Sequence, residues 1–285
     1  MPLLLVAWLL AAGQLAAPAR FIGPAEIIAD GVLLYRLDDP AMLSPAGHVS
    51  VQALRLDPRK VRVEIGLAED HLPARETVPS MAKRRGAMAA VNAGFFALAN
   101  GAPQALLKSA GALIGGTVRA RGAVGILDRP GGVRLLFDRI TTGDAAGKAA
   151  FTTRMGSSAA QWTRARHAVS GAGLLMVDGR EVREWTDEGL SAGFDTARHP
   201  RTMIGVDEGE SIWLVTVDGR QPALSLGMNF AELQTLARRL GLRSALNLDG
   251  GRSTTMVVRG YVVNHPSDDT GPRPVSDALL VFATR

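Results

Sequence analysis

Hydrophobic and polar positions along the chain repeat mostly with a period of two, which predicts strands, and in two places with a helical period. Val32 to Tyr35 is an apolar run closed by Asp38-Asp39-Pro40 and predicts a first strand within 31–37. His48 to Leu56 and Val61 to Leu67 alternate around Asp57-Pro58-Arg59-Lys60, the pattern of an antiparallel hairpin with one solvated face. Val78 to Arg85 predicts a short helix capped near Thr77, with Lys83, Arg84 and Arg85 in its last turn, where the helix dipole favours cations. Ala87 to Val91 is a small-residue strand covered on both faces, and it runs into Asn92-Ala93-Gly94-Phe95-Phe96, aromatics that either close the core or wall a pocket. Ala123 to Leu127, Gly132 to Ile140 and Leu174 to Val177 are further strands. Residues 141–166 show no sustained period and predict a loop with one short helix, while Glu184 to Asp195 has the composition of a surface loop able to lie over a site.

The last third carries the strongest pattern. Arg201 to Val206 and Ser211 to Val217 flank the turn Asp207-Glu208-Gly209-Glu210, and the second strand is almost continuously apolar, so it is central. It ends in Asp218-Gly219-Arg220. A helix follows, with Asn229 as cap, Glu232 completing a capping box and Phe230, Leu233, Ala237 and Leu240 on one face; Gly241 ends it. The strand Ser244 to Leu248 then stops at Asp249-Gly250-Gly251-Arg252-Ser253-Thr254. This strand, helix, strand order predicts a crossover, and if its two strands run in parallel both Asp-Gly turns emerge on one sheet edge, where ligands bind in such sheets. Either turn alone is equally an ordinary chain reversal. A hairpin over 256–263, a polar loop at 264–269 and a buried strand from Ala278 to Ala283 complete the chain.

Composition narrows the chemistry. The 285 residues are 47% hydrophobic and carry a formal net charge of +5, with 32 Lys and Arg interleaved with 27 acids. An excess so scattered suits anionic substrates and gives no basic arm for nucleic acid. There is no cysteine, which excludes disulfides, thiolate catalysis and Cys-ligated zinc. Pro2 to Ala12 followed by Ala17-Pro18-Ala19 predicts an export signal over residues 1–19, too short for a comfortable membrane span, and leaves a single domain over 20–285 in the periplasm or outside the cell, with no stable membrane span after cleavage. His48 and His71 read as surface histidines. No cofactor is expected; calcium at His265, Asp268 and Asp269 is the alternative to a solvated turn.

Asn247-Leu248-Asp249-Gly250-Gly251 followed by Ser253-Thr254-Thr255-Met256 resembles the signature of the phosphodiester glycosidase family. Val91 to Phe96, Pro200-Arg201-Thr202 with Gly205, Asp218-Gly219-Arg220, Gly227-Met228 and Arg273-Pro274-Val275 fit in the same order, so the resemblance spans about residues 85–284. Two positions depart from it: Arg252 stands where the family commonly has a third glycine, and Pro272 where it has an acidic residue. The resemblance implies an α+β fold with a mixed, strongly twisted sheet core flanked by helices. It also implies hydrolysis of a sugar-1-phosphodiester, in which positive charge builds on the sugar while a phosphate departs. On that reading Asp249 and Asp218 activate water or stabilise the cation, and His199, just before Pro200-Arg201, is either a further acid or base or a satisfied loop histidine. Arg201, Arg220, Arg252 and Lys108 hold phosphate, and Asn92, Ser253 and Thr254 position oxygens beside the close-approach backbone of Gly250 and Gly251. Lys108, alone between Leu106, Leu107 and Leu113, also suits a side chain that snorkels to solvent. The rival expectation is a non-catalytic protein of glycan binding or exopolysaccharide assembly that uses the same pocket.

Overall fold

The structure, a computed structural model, describes residues 23–145 and 148–284, so the expected export signal lies outside the described residues. Its strands form three sheets. The eight-stranded sheet has the order Glu26–Ala29, Val32–Leu37, Val51–Leu56, Ile212–Val217, Arg201–Asp207, Leu242–Asn247, Leu174–Val177, Arg180–Glu181. A six-stranded sheet contains Lys148–Thr153, Gly132–Ala145, Arg121–Arg129, His167–Ser170, Leu107–Ser109 and Ala112–Gly115. A five-stranded sheet contains Tyr261–Val262, Met256–Val258, Ala89–Asn92, Asp277–Ala283 and Val61–Leu67. Aliphatic side chains from all three, among them Leu54, Val63, Val91, Val124, Ile204 and Leu279, meet in one core.

Three expectations are corrected. Among the described residues all the strand pairings are antiparallel, so the sheets are not mixed, and with 42% strand against 14% helix the helices are a minor covering. The hairpin expected over 48–67 does not form: Val51–Leu56 pairs with Val32–Leu37 and Ile212–Val217, whereas Val61–Leu67 pairs with Asp277–Ala283 in another sheet. Val51–Leu56 is buried on both faces except at Arg55, and only a strand flanked by two others inside the molecule can satisfy that. The stretch 141–166 holds the end of the long Gly132–Ala145 strand, its antiparallel partner Lys148–Thr153 and the helix Ala159–Arg164.

The crossover forms in a modified way. Ile212–Val217 and Leu242–Asn247 do run in the same direction, but Arg201–Asp207 lies between them and pairs antiparallel with each. The helix Phe230–Arg239, with the expected Asn229–Glu232 capping box, bridges the gap and buries Phe230, Leu233, Leu236 and Ala237 against the sheet. One sheet edge therefore receives the C-terminal ends of two strands and the N-terminal start of the third. Among the described residues, no helix is long and apolar enough to cross a membrane.

Candidate active site

At that edge three tight turns close on the backbone of His199 and Pro200. A β-carbon on Gly250 would stand 2.6 Å from the Pro200 carbonyl oxygen, one on Gly219 2.8 Å from the Pro200 nitrogen, and one on Gly227 2.4 Å from the His199 carbonyl oxygen. Only glycine permits such approaches, and Gly227 also sits at a φ of +87°. The Asp-Gly pairs are thus points of close contact between strand ends. The Gly251 amide donates to Pro200 O at 2.8 Å and the Asp249 amide to Ala93 O at 2.9 Å, which fixes the Asp249 loop from two sides.

Within this edge lies a pocket of about 240 Å³, lined by Phe194, His199, Arg201, Arg220, Asp249, Gly250, Gly251, Arg252 and Arg273. Larger clefts exist, one of about 590 Å³ among the turns at Asp57–Arg59, Arg129–Gly131 and Gly209–Ser211. Among the described residues its charges cancel locally, Arg59 on Asp57, Arg129 on Glu210 and Arg55 on Asp207, so it offers no cation without an acid to a ligand. The small pocket is different: among the described residues Arg201, Arg220 and Arg252 form no ion pair, and Arg273 alone reaches a carboxylate, Asp268, at 3.2 Å.

Asp249 is the one acid on the pocket wall. Part of its surface faces the pocket, but the carboxyl is packed deeply enough that burial raises it to about pH 7 from an ordinary aspartate value. The Ser253 side chain and the Gly250 amide oppose that rise, while the negative charge of Asp277 adds to it. Asp277 is itself fully buried at the start of its strand; its Oδ1 accepts from Gly94 N at 2.7 Å and its Oδ2 from the Ser276 hydroxyl, and burial raises its titration too. Burial also lowers the His199 titration, reinforced by Arg201 and Arg220. Arg220 Nη2 lies 3.3 Å from His199 Nδ1, and since a guanidinium only donates, Nδ1 accepts and the proton of the neutral ring is on Nε2. Arg201 is 1% exposed, pushed down to about 10 by burial and by Arg220, and still cationic at neutral pH. Its Nε and Nη2 donate to the carbonyls of Met228, Phe194 and Ala197, and its guanidinium stacks on Phe194 and Phe230 at 4.7 and 4.9 Å. Arg220 is lowered by burial and then by Arg252 and Arg273, the mark of cations crowded together without an anion.

Of the residues expected from sequence, His199, Arg201, Arg220, Asp249, Gly250, Gly251 and Arg252 converge here. Others do not. Asp218, expected as a second catalytic carboxylate, is turned away: Asn264 Nδ2 and His265 N donate to its Oδ1 at 3.0 and 2.8 Å, and Ser50 Oγ and Gln52 Nε2 to its Oδ2 at 2.8 and 3.3 Å. A carboxylate so fully used ties strand ends together and has no lone pair left for a substrate. Lys108 is buried in another sheet, where Nζ donates to the carbonyls of Trp162 and Thr163 at 3.2 and 2.7 Å and closes the C-terminal end of the helix Ala159–Arg164. Asn92 is a buried strut that donates to Asp249 O at 2.6 Å and accepts from Thr202 Oγ1 and Thr255 N at 2.8 and 3.1 Å. Ser253 and Thr254 are buried behind the pocket; Ser253 bears on the Asp249 carboxyl, and the Thr254 hydroxyl has no partner among the described residues. Among the described residues no three His, Asp or Glu side chains are grouped to hold a metal ion, and Asp268 and His265 are engaged by Arg273 and Asp218.

Sequence reasoning passed over Arg273, Asp277 and Phe194. Arg273 was in view as part of the Arg-Pro-Val block, and Asp277 carried a signal as an acid opening an otherwise apolar buried strand. Phe194, from the loop expected to lie over a site, has no such mark.

A family model for phosphodiester glycosidases matches residues 85–282. The chain belongs to the phosphodiester glycosidase family. The mouse and human N-acetylglucosamine-1-phosphodiester alpha-N-acetylglucosaminidases are each 31% identical to it over 111 residues, 37% of this chain and 21% of theirs. The chain spans about a fifth of the length of those curated relatives. The phosphodiester glycosidase fold is also seen in the zebrafish N-acetylglucosamine-1-phosphodiester alpha-N-acetylglucosaminidase catalytic domain auto-inhibited by its pro-peptide, with a TM-score of 0.68, 23% identity and coverage of 95% of this chain and 86% of that one. A hypothetical protein from Synechocystis superposes with a TM-score of 0.74 at 20% identity, covering 92% of this chain and 64% of its own. A protein described as exported, from Burkholderia pseudomallei K96243, gives a TM-score of 0.69 at 22% identity, covering 83% and 74%. At these identities the likeness to solved structures is one of fold.

Proposed function

We propose that this phosphodiester glycosidase hydrolyses a sugar whose anomeric oxygen is esterified to phosphate, with water attacking the anomeric carbon. The observation that carries the reading is a single carboxyl, Asp249, set into a pocket whose other titratable wall residues are four arginines and a neutral histidine. In its ionised form Asp249 accepts a proton from water as the water oxygen bonds to carbon. The bond from that carbon to the phosphate oxygen breaks, and its electron pair stays on the phosphate, which leaves with an additional negative charge. Arg220, Arg252 and Arg273 meet that charge as it develops, which is where catalytic stabilisation counts, and Arg201, its Nε and Nη2 spent on backbone carbonyls, adds its positive charge from the pocket wall. A phosphate needs no proton to leave, so the elevated Asp249 titration serves a base that works near neutrality. His199 Nε2–H is the neutral donor beside them. Export to the periplasm or beyond is part of the proposal, supported by the apolar start of the sequence and by the name of the Burkholderia protein of the same fold, which describes it as exported.

The test is turnover of an N-acetylglucosamine-1-phosphate methyl ester in ¹⁸O-labelled water by the wild type and Asp249→Asn. Label in the sugar, with a loss of roughly 10³-fold in kcat for the variant, is the expected result. Label in the phosphate places the attack at phosphorus, and binding with no product from a broad panel of such esters overturns the enzyme reading.

A further inference from the structure

Beside the pocket a further cation lacks a partner. Arg121 opens the strand Arg121–Arg129, and among the described residues its guanidinium makes no ion pair and no hydrogen bond; its Nε is buried and unpaired. A partly buried charge is ordinarily paired, because desolvation costs far more than exposed charge does. The carboxylate nearest in effect, Glu188, is already filled: it accepts from Arg139 Nε at 3.0 Å, from Gly122 N and Gly173 N at 3.0 and 2.8 Å, and from Leu174 N at 3.2 Å. The remaining charged neighbour is a second cation, Arg119, which works against Arg121 together with burial.

The contact Arg121 does make leads back to the catalytic pocket. Its guanidinium lies over the Phe95 ring at 5.3 Å, Phe95 meets Phe194 edge to face at 6.3 Å, and Phe194 lies against Arg201 at 4.7 Å. An unpaired guanidinium, Arg121, and one held by backbone carbonyls and by no acid, Arg201, thus stand at either end of a two-ring aromatic ledge. Aromatic faces take up the C–H faces of sugars, and guanidinium forks take up phosphate or carboxylate. We propose that Arg121 and Phe95 form a second subsite, which binds an anionic group on the sugar unit next to the one being released. The substrate class is accordingly an anionic glycan that repeats its charge from unit to unit. This rests on the catalytic reading for its orientation and supplies the substrate that reading leaves open.

Phosphate and uronate carboxylate share this chemistry, and the test separates them. Three synthetic substrates carry the same scissile sugar-1-phosphate ester: one ends there, one continues into a second sugar phosphate, one into a uronic acid. Kinetics are read for wild type, Arg121→Gln and Arg121→Lys, with thermal midpoints to confirm folding. The expected result is a tenfold or greater advantage in kcat/KM for a two-anion substrate, expressed in KM. Arg121→Gln abolishes it and leaves the one-anion substrate within twofold, and Arg121→Lys retains part of it. The larger advantage identifies the anion. Equal kcat/KM for all three substrates overturns the proposal, as does a loss in Arg121→Gln that is the same for all of them. If no substrate is turned over, calorimetric titration of the same compounds decides: tighter binding of a two-anion compound that vanishes in Arg121→Gln upholds the subsite while the catalytic reading falls, and equal binding overturns both.

Discussion

Asp249 and Asp218 show how identical residues in identical local sequence take opposite parts. Both follow a buried strand and precede glycine, yet Asp218 is surrounded by donors and Asp249 faces a pocket with its titration raised to about 7. The consequence for stability has a definite sign. A carboxyl whose folded titration lies above its unfolded one favours the fold below the ordinary aspartate value, and that contribution is lost as pH rises through about 7. Asp249→Asn is therefore expected to stabilise the protein on the order of 2 kcal/mol at pH 8.5, after allowance for solvent on the pocket side, and to leave stability unchanged at pH 4. Denaturant unfolding at the two pH values checks this, and a variant no more stable at pH 8.5 than wild type contradicts the burial account. Asp218→Asn is expected to destabilise instead. It strands several buried donors, so a loss of about 2–3 kcal/mol is expected, with kcat per folded molecule within about threefold of wild type. A collapse of kcat at unchanged stability returns Asp218 to the reaction.

At the scale of elements, glycines at the sheet edge decide where the acid sits. Adding a methyl to Gly250 drives it into the Pro200 carbonyl, a backbone atom that cannot swing aside, so the Asp249 loop moves instead. A displacement near 1 Å at a reacting group costs roughly 10²-fold in rate, the loss expected in kcat for Gly250→Ala at a thermal midpoint lowered by only a few degrees. A kcat within threefold of wild type shows that the close approach is structural alone. What the sequence made legible follows from the same local logic. The cap at Thr77, the Asn229–Glu232 box, the Asp207–Glu210 turn and the two Asp-Gly loops are each specified within a few neighbouring residues, and each is present. Which strands become neighbours is a long-range outcome. Alternation in 48–67 cannot tell a hairpin from two strands that part at Asp57–Lys60, and small residues after Thr141 carry no apolar stripe to betray the long strand they extend. The candidate site was legible where its residues sit in motifs, and obscure for Phe194 and Asp277, which reach it through folding alone.

Across the whole molecule the sheets are tied together by buried polar side chains as well as by the aliphatic core, and His167 is one such tie. It lies on the strand His167–Ser170 of the six-stranded sheet, and its Nδ1 accepts from Ile65 N of the five-stranded sheet at 3.3 Å and from Ala110 N at 3.2 Å. Both donors are backbone amides, so the proton of the neutral ring is on Nε2, which is buried without a partner among the described residues. Protonating Nδ1 would turn an acceptor of two amides into a donor facing them. Burial, the larger cause, holds the ring titration down to about 4. The sign is opposite to that of Asp249. A histidine whose folded titration lies below its unfolded one costs the fold nothing above the ordinary histidine value, and stability drains away as pH falls from there towards about 4. Between those limits the two groups act against each other, His167 weakening the fold on acidification and Asp249 strengthening it, so their contributions to the pH dependence are expected nearly to cancel. His167→Gln removes one arm. It lowers stability at pH 7.5 through lost packing, but its stability then rises on acidification to pH 4.5 by on the order of 2 kcal/mol relative to wild type. Asp249→Asn removes the other arm and leaves an acid-side loss steeper than that of wild type. Unfolding free energies of the three proteins at the two pH values settle the matter, and parallel pH dependence in all three rules out this opposition of buried charges.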